Sequence, residues 1–180
     1  MKKFFVAFAI IFLQISTCHA KIISDVSGRI TFETSNNWYP TSVEENEIFS
    51  DLHSIALDKD TGVIFLQCKY LSNYKSMMEI SETEKSVIRD KMLQYLISTF
   101  KNKNYSVRIN KTEIFDDMIG IGFSLTRNGL KYKTVCFYFI KDYTIYCLSY
   151  LGTDYTISEA AKVTETLKID GIPFVRWIFQ

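Results

Sequence analysis

The sequence predicts an α+β domain: an antiparallel β-sheet meander covered by one long and one short α-helix, a layered α/β/α sandwich. Three observations carry this. After Ser81, apolar residues recur at three- and four-residue spacing for about twenty residues, which marks a helix with one buried face. Residues 107–150 hold four apolar-alternating runs joined by turns so short that consecutive runs must pair antiparallel. In residues 135–140 both alternating sets are apolar, with Val135, Phe137 and Phe139 on one side and Cys136, Tyr138 and Ile140 on the other. A sheet of that kind needs cover on both faces.

The elements follow in order. Residues 28–33 alternate around Ile30 and Phe32 as an opening strand, and Ser35-Asn36-Asn37 turns ahead of Trp38. Residues 54–58 and 63–70 are two more apolar runs, joined by Lys59-Asp60-Thr61-Gly62, which is hairpin chemistry. Residues 72–79 are polar and irregular. Ser81-Glu82-Thr83-Glu84 is a capping box, and Ile88, Met92, Leu93, Tyr95, Leu96, Ile97 and Phe100 continue it as the long helix, which ends at Asn102-Lys103-Asn104. The strands of the meander are expected at 107–114, 118–126, 130–140 and 143–150. Phe115-Asp116-Asp117, Arg127-Asn128-Gly129 and Lys141-Asp142 are the turns between them. Thr156-Ile157-Ser158-Glu159 reads as a second capping box, opening the short helix that carries Ala160, Val163 and Leu167 inward until Asp170-Gly171. Residues 172–180 are an apolar tail, expected as a last strand or a docking segment.

Residues 1–20 read as a signal peptide. Lys2 and Lys3 precede an apolar run of about ten residues, half of what a membrane-spanning helix needs, and Cys18-His19-Ala20 suits cleavage after Ala20. Lipid attachment through Cys18 fits less well, because Thr17 is a poor residue before such a cysteine. Cleavage leaves residues 21–180 as a single domain and takes the net charge from +1 to −1 with the loss of the two lysines. The expected address is secreted or periplasmic. A near-neutral chain has no basic footprint for nucleic acid, and 7 glycines leave no phosphate cradle.

The order hairpin, long helix, antiparallel meander and short C-terminal helix, with Trp38 early and Phe139-Ile140-Lys141-Asp142 late, resembles the PsbP/DcrB-like (Mog-type) group over most of residues 28–169. That group includes a photosystem extrinsic subunit and bacterial envelope lipoproteins. The resemblance implies a PsbP-like layered fold and a non-enzymatic protein that binds or scaffolds another macromolecule in the envelope. It implies no cofactor and no catalytic residue.

Individual residues offer a second chemistry. Symmetrical pairing about the Lys59–Gly62 loop sets His53 opposite Cys68, a Cys–His arrangement in which the imidazole would activate the thiol. A small Cys-dependent hydrolase or transferase is therefore the alternative function, against Cys68 as a buried apolar filler. Pairing about Lys141-Asp142 sets Cys136 opposite Cys147, placed to form a disulfide in an oxidising compartment, or to remain two thiols. No metal-ligand spacing is present. Asp116-Asp117, Glu44-Glu45 and Asp58/Asp60 fall at turns, where carboxylates stay wet. Aromatic residues make up 15% of the chain, with 11 Tyr and 14 Phe. Tyr132, Tyr138, Tyr146 and Tyr150 on adjacent strands, with Phe174, Trp177 and Phe179 of the tail, are the candidate binding residues, and their exposure decides whether they form a binding face or pack inward.

Overall fold

The computed structural model describes residues 21–34, 37–41, 55–59, 61–70 and 73–174. The expected signal segment with Cys18, the pair Glu44-Glu45, His53, Asp60 and the tail beyond Phe174 lie outside them. In chain order the strands are β1 (Lys21–Ser24), β2 (Ile30–Thr34), β3 (Tyr39–Thr41), β4 (Ile55–Lys59) and β5 (Gly62–Tyr70). A 3-10 turn (Met77–Glu79) and the long helix α1 (Glu82–Asn102) follow. Then come β6 (Ser106–Ile114), β7 (Met118–Arg127), β8 (Leu130–Lys141), β9 (Thr144–Gly152), the short helix α2 (Asp154–Thr164), β10 (Lys168–Ile169) and β11 (Ile172–Pro173). The α+β class, the meander and its two helices stand as the sequence implies.

Seven of these strands form one antiparallel sheet in the order β3-β4-β5-β9-β8-β7-β6. Its hairpins are set by turn chemistry. Asn128 and Gly129 both take positive φ, at 51° and 78°, as a type I′ turn requires. Asp142 and Tyr143 do the same at 47° and 63°, so the β8–β9 turn is Asp142-Tyr143 and not Lys141-Asp142. Lys141 therefore pairs with Thr144 and the whole ladder is offset from the expected register. A tyrosine in the left-handed region leaves no mark in the sequence.

The long helix lies over β6 and β7 and closes one face of the sheet. Its N-terminus carries the full capping box, with Ser81 Oγ accepting from the Glu84 amide and Glu84 reaching back to the Ser81 amide. Its C-terminus is a Schellman motif. Asn104 sits at φ 62°, the Asn104 amide donates to Lys101 O at 2.9 Å, and the Tyr105 amide donates to Phe100 O at 3.0 Å. The Phe100 and Tyr105 rings meet edge-on at 5.9 Å, the apolar contact that accompanies this motif. Beneath the helix pack Ile119, Ile121, Phe123, Leu125, Cys136, Tyr138, Ile140, Ile145 and Cys147.

The other face is covered by several pieces. The short helix begins at Asp154, earlier than the sequence suggests, because Thr153 is the N-cap and accepts from the Thr156 amide. Thr156 is thus an interior, buried residue, and it rests on a floor of Gly62 paired with Gly152. A Cβ on Gly62 would lie 2.1 Å from Thr156 Cγ2, so the close approach of helix to hairpin requires glycine. Beside this helix a second, four-stranded sheet in the order β1-β2-β10-β11 completes the layer. Ile30, Phe32, Trp38, Phe139, Tyr146, Tyr150, Leu167 and Phe174 form the core on this side. The edge strand β6 is interrupted by a bulge between Ile109 and Lys111.

Candidate functional site

Where the two layers meet the end of the large sheet, four turns converge. The β6–β7 turn brings Asp117. The end of β8 brings Phe139 and Lys141. The 3-10 turn is capped by Ser76, whose side chain accepts from the Met78 amide, and is stitched to the sheet by a bridge between Ser76 and Lys141. The β10–β11 hairpin turns on Asp170-Gly171, both at positive φ, and delivers Phe174, whose amide donates to Leu167 O at 2.7 Å. That hairpin is tied down by Arg29, whose guanidinium forks onto the Asp170 carboxylate at 2.7 and 2.9 Å.

These elements enclose a cleft of about 70 Å³ walled by Met77, Met118, Phe139 and Phe174, with Met78, 75% exposed, at its mouth. Phe139 is the pivot. Its ring stacks on Tyr146 at 5.1 Å and an interplanar angle of 8°, and tilts against Phe174 at 4.6 Å. Asp117 and Lys141 also line the cleft. Burial pushes the Asp117 carboxyl above its ordinary range, helped by neighbouring Asp116 and opposed by its own backbone hydrogen bond and by Lys85. The Lys85 ammonium is itself buried and holds the β6–β7 turn, donating to Asp116 O at 2.9 Å and to Glu82 Oε1 at 2.8 Å. The result is a thioether- and ring-lined seat with one carboxyl and one ammonium beside it.

The residues singled out from sequence distribute differently. Tyr138 is 1% exposed under the long helix, whereas Tyr146 and Tyr150 are buried on the opposite face and Phe174 is buried in the same layer. The pleat explains the split: Tyr138 pairs with Cys147 and Phe139 with Tyr146, and neighbours along a strand point to opposite faces. The tyrosines therefore do not share one exposed face. Tyr132 is half-buried and meets Tyr105 edge-on at 6.0 Å. Trp177 and Phe179 lie outside the described residues.

Cys136 pairs with Ser149 and Cys147 with Tyr138, so the expected cross-strand cysteine pair is replaced by two free thiols on one face. Burial pushes the Cys136 thiol up to about 12 and raises Cys147 as well, which keeps both protonated and unreactive. Cys68 is 0% exposed and faces Tyr146 across the β5–β9 ladder. The β4–β5 ladder has the expected register, with Ile55 opposite Leu66 and Lys59 opposite Gly62. His53, beyond its described end, is outside the description. Sequence reasoning passed over the cleft because its walls come from four separate turns. The adjacent Met77 and Met78, in a stretch read as irregular, were the one local signal for it. Among the described residues no group of three His, Cys, Asp or Glu side chains could hold a metal ion, and no helix is long and apolar enough to cross a membrane.

No family model and no curated protein matches the chain. Solved structures do. The chain is similar to the solution structure of cyanobacterial PsbP (CyanoP) from Synechocystis sp. PCC 6803, with a TM-score of 0.59 and 7% identity over 87% of this chain and 95% of that one. The fold is PsbP-like. A crystal structure from Bacteroides thetaiotaomicron VPI-5482 aligns with a TM-score of 0.50 and 14% identity over 84% of this chain and 48% of that one, so the chain spans about half its length. At these identities the likeness is one of fold. Within the PsbP-like frame, the cleft lies where the two β layers join.

Proposed function

We propose that this chain is an exported, non-enzymatic envelope protein that binds another macromolecule by seating one of the partner's apolar side chains in the methionine-lined cleft. The observation that carries this reading is the cleft's lining and size. About 70 Å³ suits a single side chain, whereas small-molecule and cofactor sites run to roughly 300–1,000 Å³. Thioether side chains are polarisable and adapt their rotamers, which is why they recur at surfaces that accept varied apolar groups. Asp117 and Lys141 give the partner a charge pattern to orient against. Trp177 and Phe179 follow Phe174 closely in the sequence and are proposed to add contacts beside the cleft. Membership of the PsbP/DcrB-like, Mog-type group belongs to the same proposal and is supported by the fold likeness. Export to the periplasm or beyond is supported by the pattern of residues 1–20.

A photo-crosslinking amino acid at position 78 in the full chain, expressed in cells, tests the reading. The expected result is a discrete adduct in the envelope fraction, with a protein whose N-terminus is Lys21 by mass. Adducts no different from those of the same probe at exposed Lys91 of the long helix would overturn binding at the cleft. Retention of an unprocessed chain in the cytoplasm would overturn export.

A further inference from the structure

The chain has 5 methionines, of which Met1 lies outside the described residues. Met77 and Met118 wall the cleft and are 1% and 3% exposed, and Met92 is half-buried between the long helix and the sheet. Met78 differs from all three, standing 75% exposed at the cleft's mouth. The 3-10 turn spaces consecutive side chains about 120° apart around its axis, so burying Met77 turns Met78 outward. That turn is held from several sides. The Lys75 amide donates to Glu79 Oε2 at 2.8 Å, the Met78 amide to Ser76 Oγ at 3.2 Å and the Ile80 amide to Met77 O at 3.2 Å, while Ser76 bridges to Lys141. The fold therefore keeps one thioether in water at the entrance to an apolar seat.

We propose that Met78 is an oxidative modification site, through which a hydroperoxide closes the cleft to apolar side chains. The proposal rests on reading the cleft as the seat for a partner's side chain. In the step, Sγ of Met78 attacks one peroxide oxygen. An S–O bond forms as the O–O bond breaks, the sulfur gives up two electrons, and the departing oxygen takes the proton of the transferred hydroxyl, so that hydrogen peroxide leaves as water. The product is a sulfoxide, whose oxygen is a strong hydrogen-bond acceptor. An apolar group entering past it would take that oxygen out of water without a donor, a cost the thioether does not impose. Met77 and Met118 are shielded by burial, so the walls of the seat keep their thioethers. The change is reversible: a methionine sulfoxide reductase restores the thioether, with two electrons from thiols and the oxygen leaving as water.

Peroxide treatment of the purified chain, followed by peptide mass spectrometry, tests the site. Met78 is expected to gain one oxygen about tenfold or more faster than Met77 and Met118, with Met92 between them, and the difference is expected to vanish in urea. Comparable rates for Met78 and Met118 in the folded chain would overturn the proposal. A second arm reads the cleft through a photo-crosslinking amino acid at exposed Lys75, on the same turn. The purified chain is oxidised at Met78, freed of peroxide and illuminated with an untreated envelope fraction. The adduct should fall about fivefold or more against the unoxidised chain and return after incubation with methionine sulfoxide reductases and a dithiol. Met78→Gln, which places a polar group of similar size there, should lower it without peroxide. Met78→Leu has no sulfur to oxidise and should keep after peroxide the signal it had before. Far-ultraviolet circular dichroism confirms that the oxidised chain and both variants are folded. Equal adducts before and after oxidation, or an equal peroxide loss in Met78→Leu, would overturn this proposal and leave the cleft reading standing. No adduct from the unoxidised chain would overturn the cleft reading and this proposal with it.

Discussion

The two faces of the large sheet are covered in opposite ways. Under the long helix the cover is a single continuous segment, and sheet and helix come from a compact stretch of chain. On the other face the cover is assembled from the short helix and four small strands drawn from both ends of the described chain, so residue 30 pairs with residue 169. The side chains match. The first face is mostly aliphatic with two cysteines, suited to a helix laid flat on a pleated surface. The second carries Phe32, Trp38, Phe139, Tyr146, Tyr150 and Phe174, whose large rings fill the irregular space between non-contiguous pieces. A cover made of pieces leaves a seam, and the cleft is part of that seam.

Phe32→Ala should break the comparison most sharply. Emptying a fully buried ring site costs about 3–5 kcal/mol, and amide exchange should show Ile30–Thr34 and Lys168–Ile169 opening while the long-helix face stays protected. Uniform loss of protection would mean that the two faces are one cooperative unit. Gly62→Ala should cost about 1–3 kcal/mol by driving a methyl into Thr156, and adding Thr156→Ser should recover part of it in urea denaturation. On the other face, Ser81→Ala should cost about 1 kcal/mol through the lost cap, with protection falling first in the opening turn of the helix. The smallest effect is at the seam. Because the folded Asp117 carboxyl titrates above its unfolded range, ionising it opposes folding, and the stability present at low pH is lost as pH rises through the carboxylate range toward the folded value. Asp117→Asn should therefore stabilise the protein slightly at neutral pH, with the gain weakened by solvent screening and absent below that range. Urea denaturation at the two pH values reads the difference.

What the sequence makes legible follows the same division. The meander and the long helix are written locally, in the Asn128-Gly129 turn, the alternation of residues 135–140 and the Ser81–Glu84 box, and each stands where the pattern puts it. The closing half of the small sheet has no local signature, since β10 and β11 are two residues each and are held by pairing, β10 with β2 and β11 with β10. The short helix shows how a pattern misleads: Thr156-Ile157-Ser158-Glu159 looks like a cap, but its threonine hydroxyl bonds Thr153 Oγ1 at 3.0 Å and Thr61 Oγ1 at 2.5 Å inside the first turn. For the cysteines, one residue of error in the turn moved the partner of Cys136 from Cys147 to Ser149. Burial of the tyrosines was not legible either, because alternation says which residues share a face and not how deeply that face is covered.

The ladder between Ile30–Thr31 and Lys168–Ile169 also sets an order of events in time. A ribosome releases β2 long before β10 exists, so Phe32 and Trp38 have no roof while most of the chain is being made. The long-helix face can collapse early on short-range contacts, but the second face must wait for a closure spanning nearly the whole described chain, which is slow because the chain must first pay the entropy of a large loop. The polypeptide therefore spends its early life half-folded with a sticky aromatic surface open, a state that a chaperone or an export machine can hold and that only the last strands bring to an end.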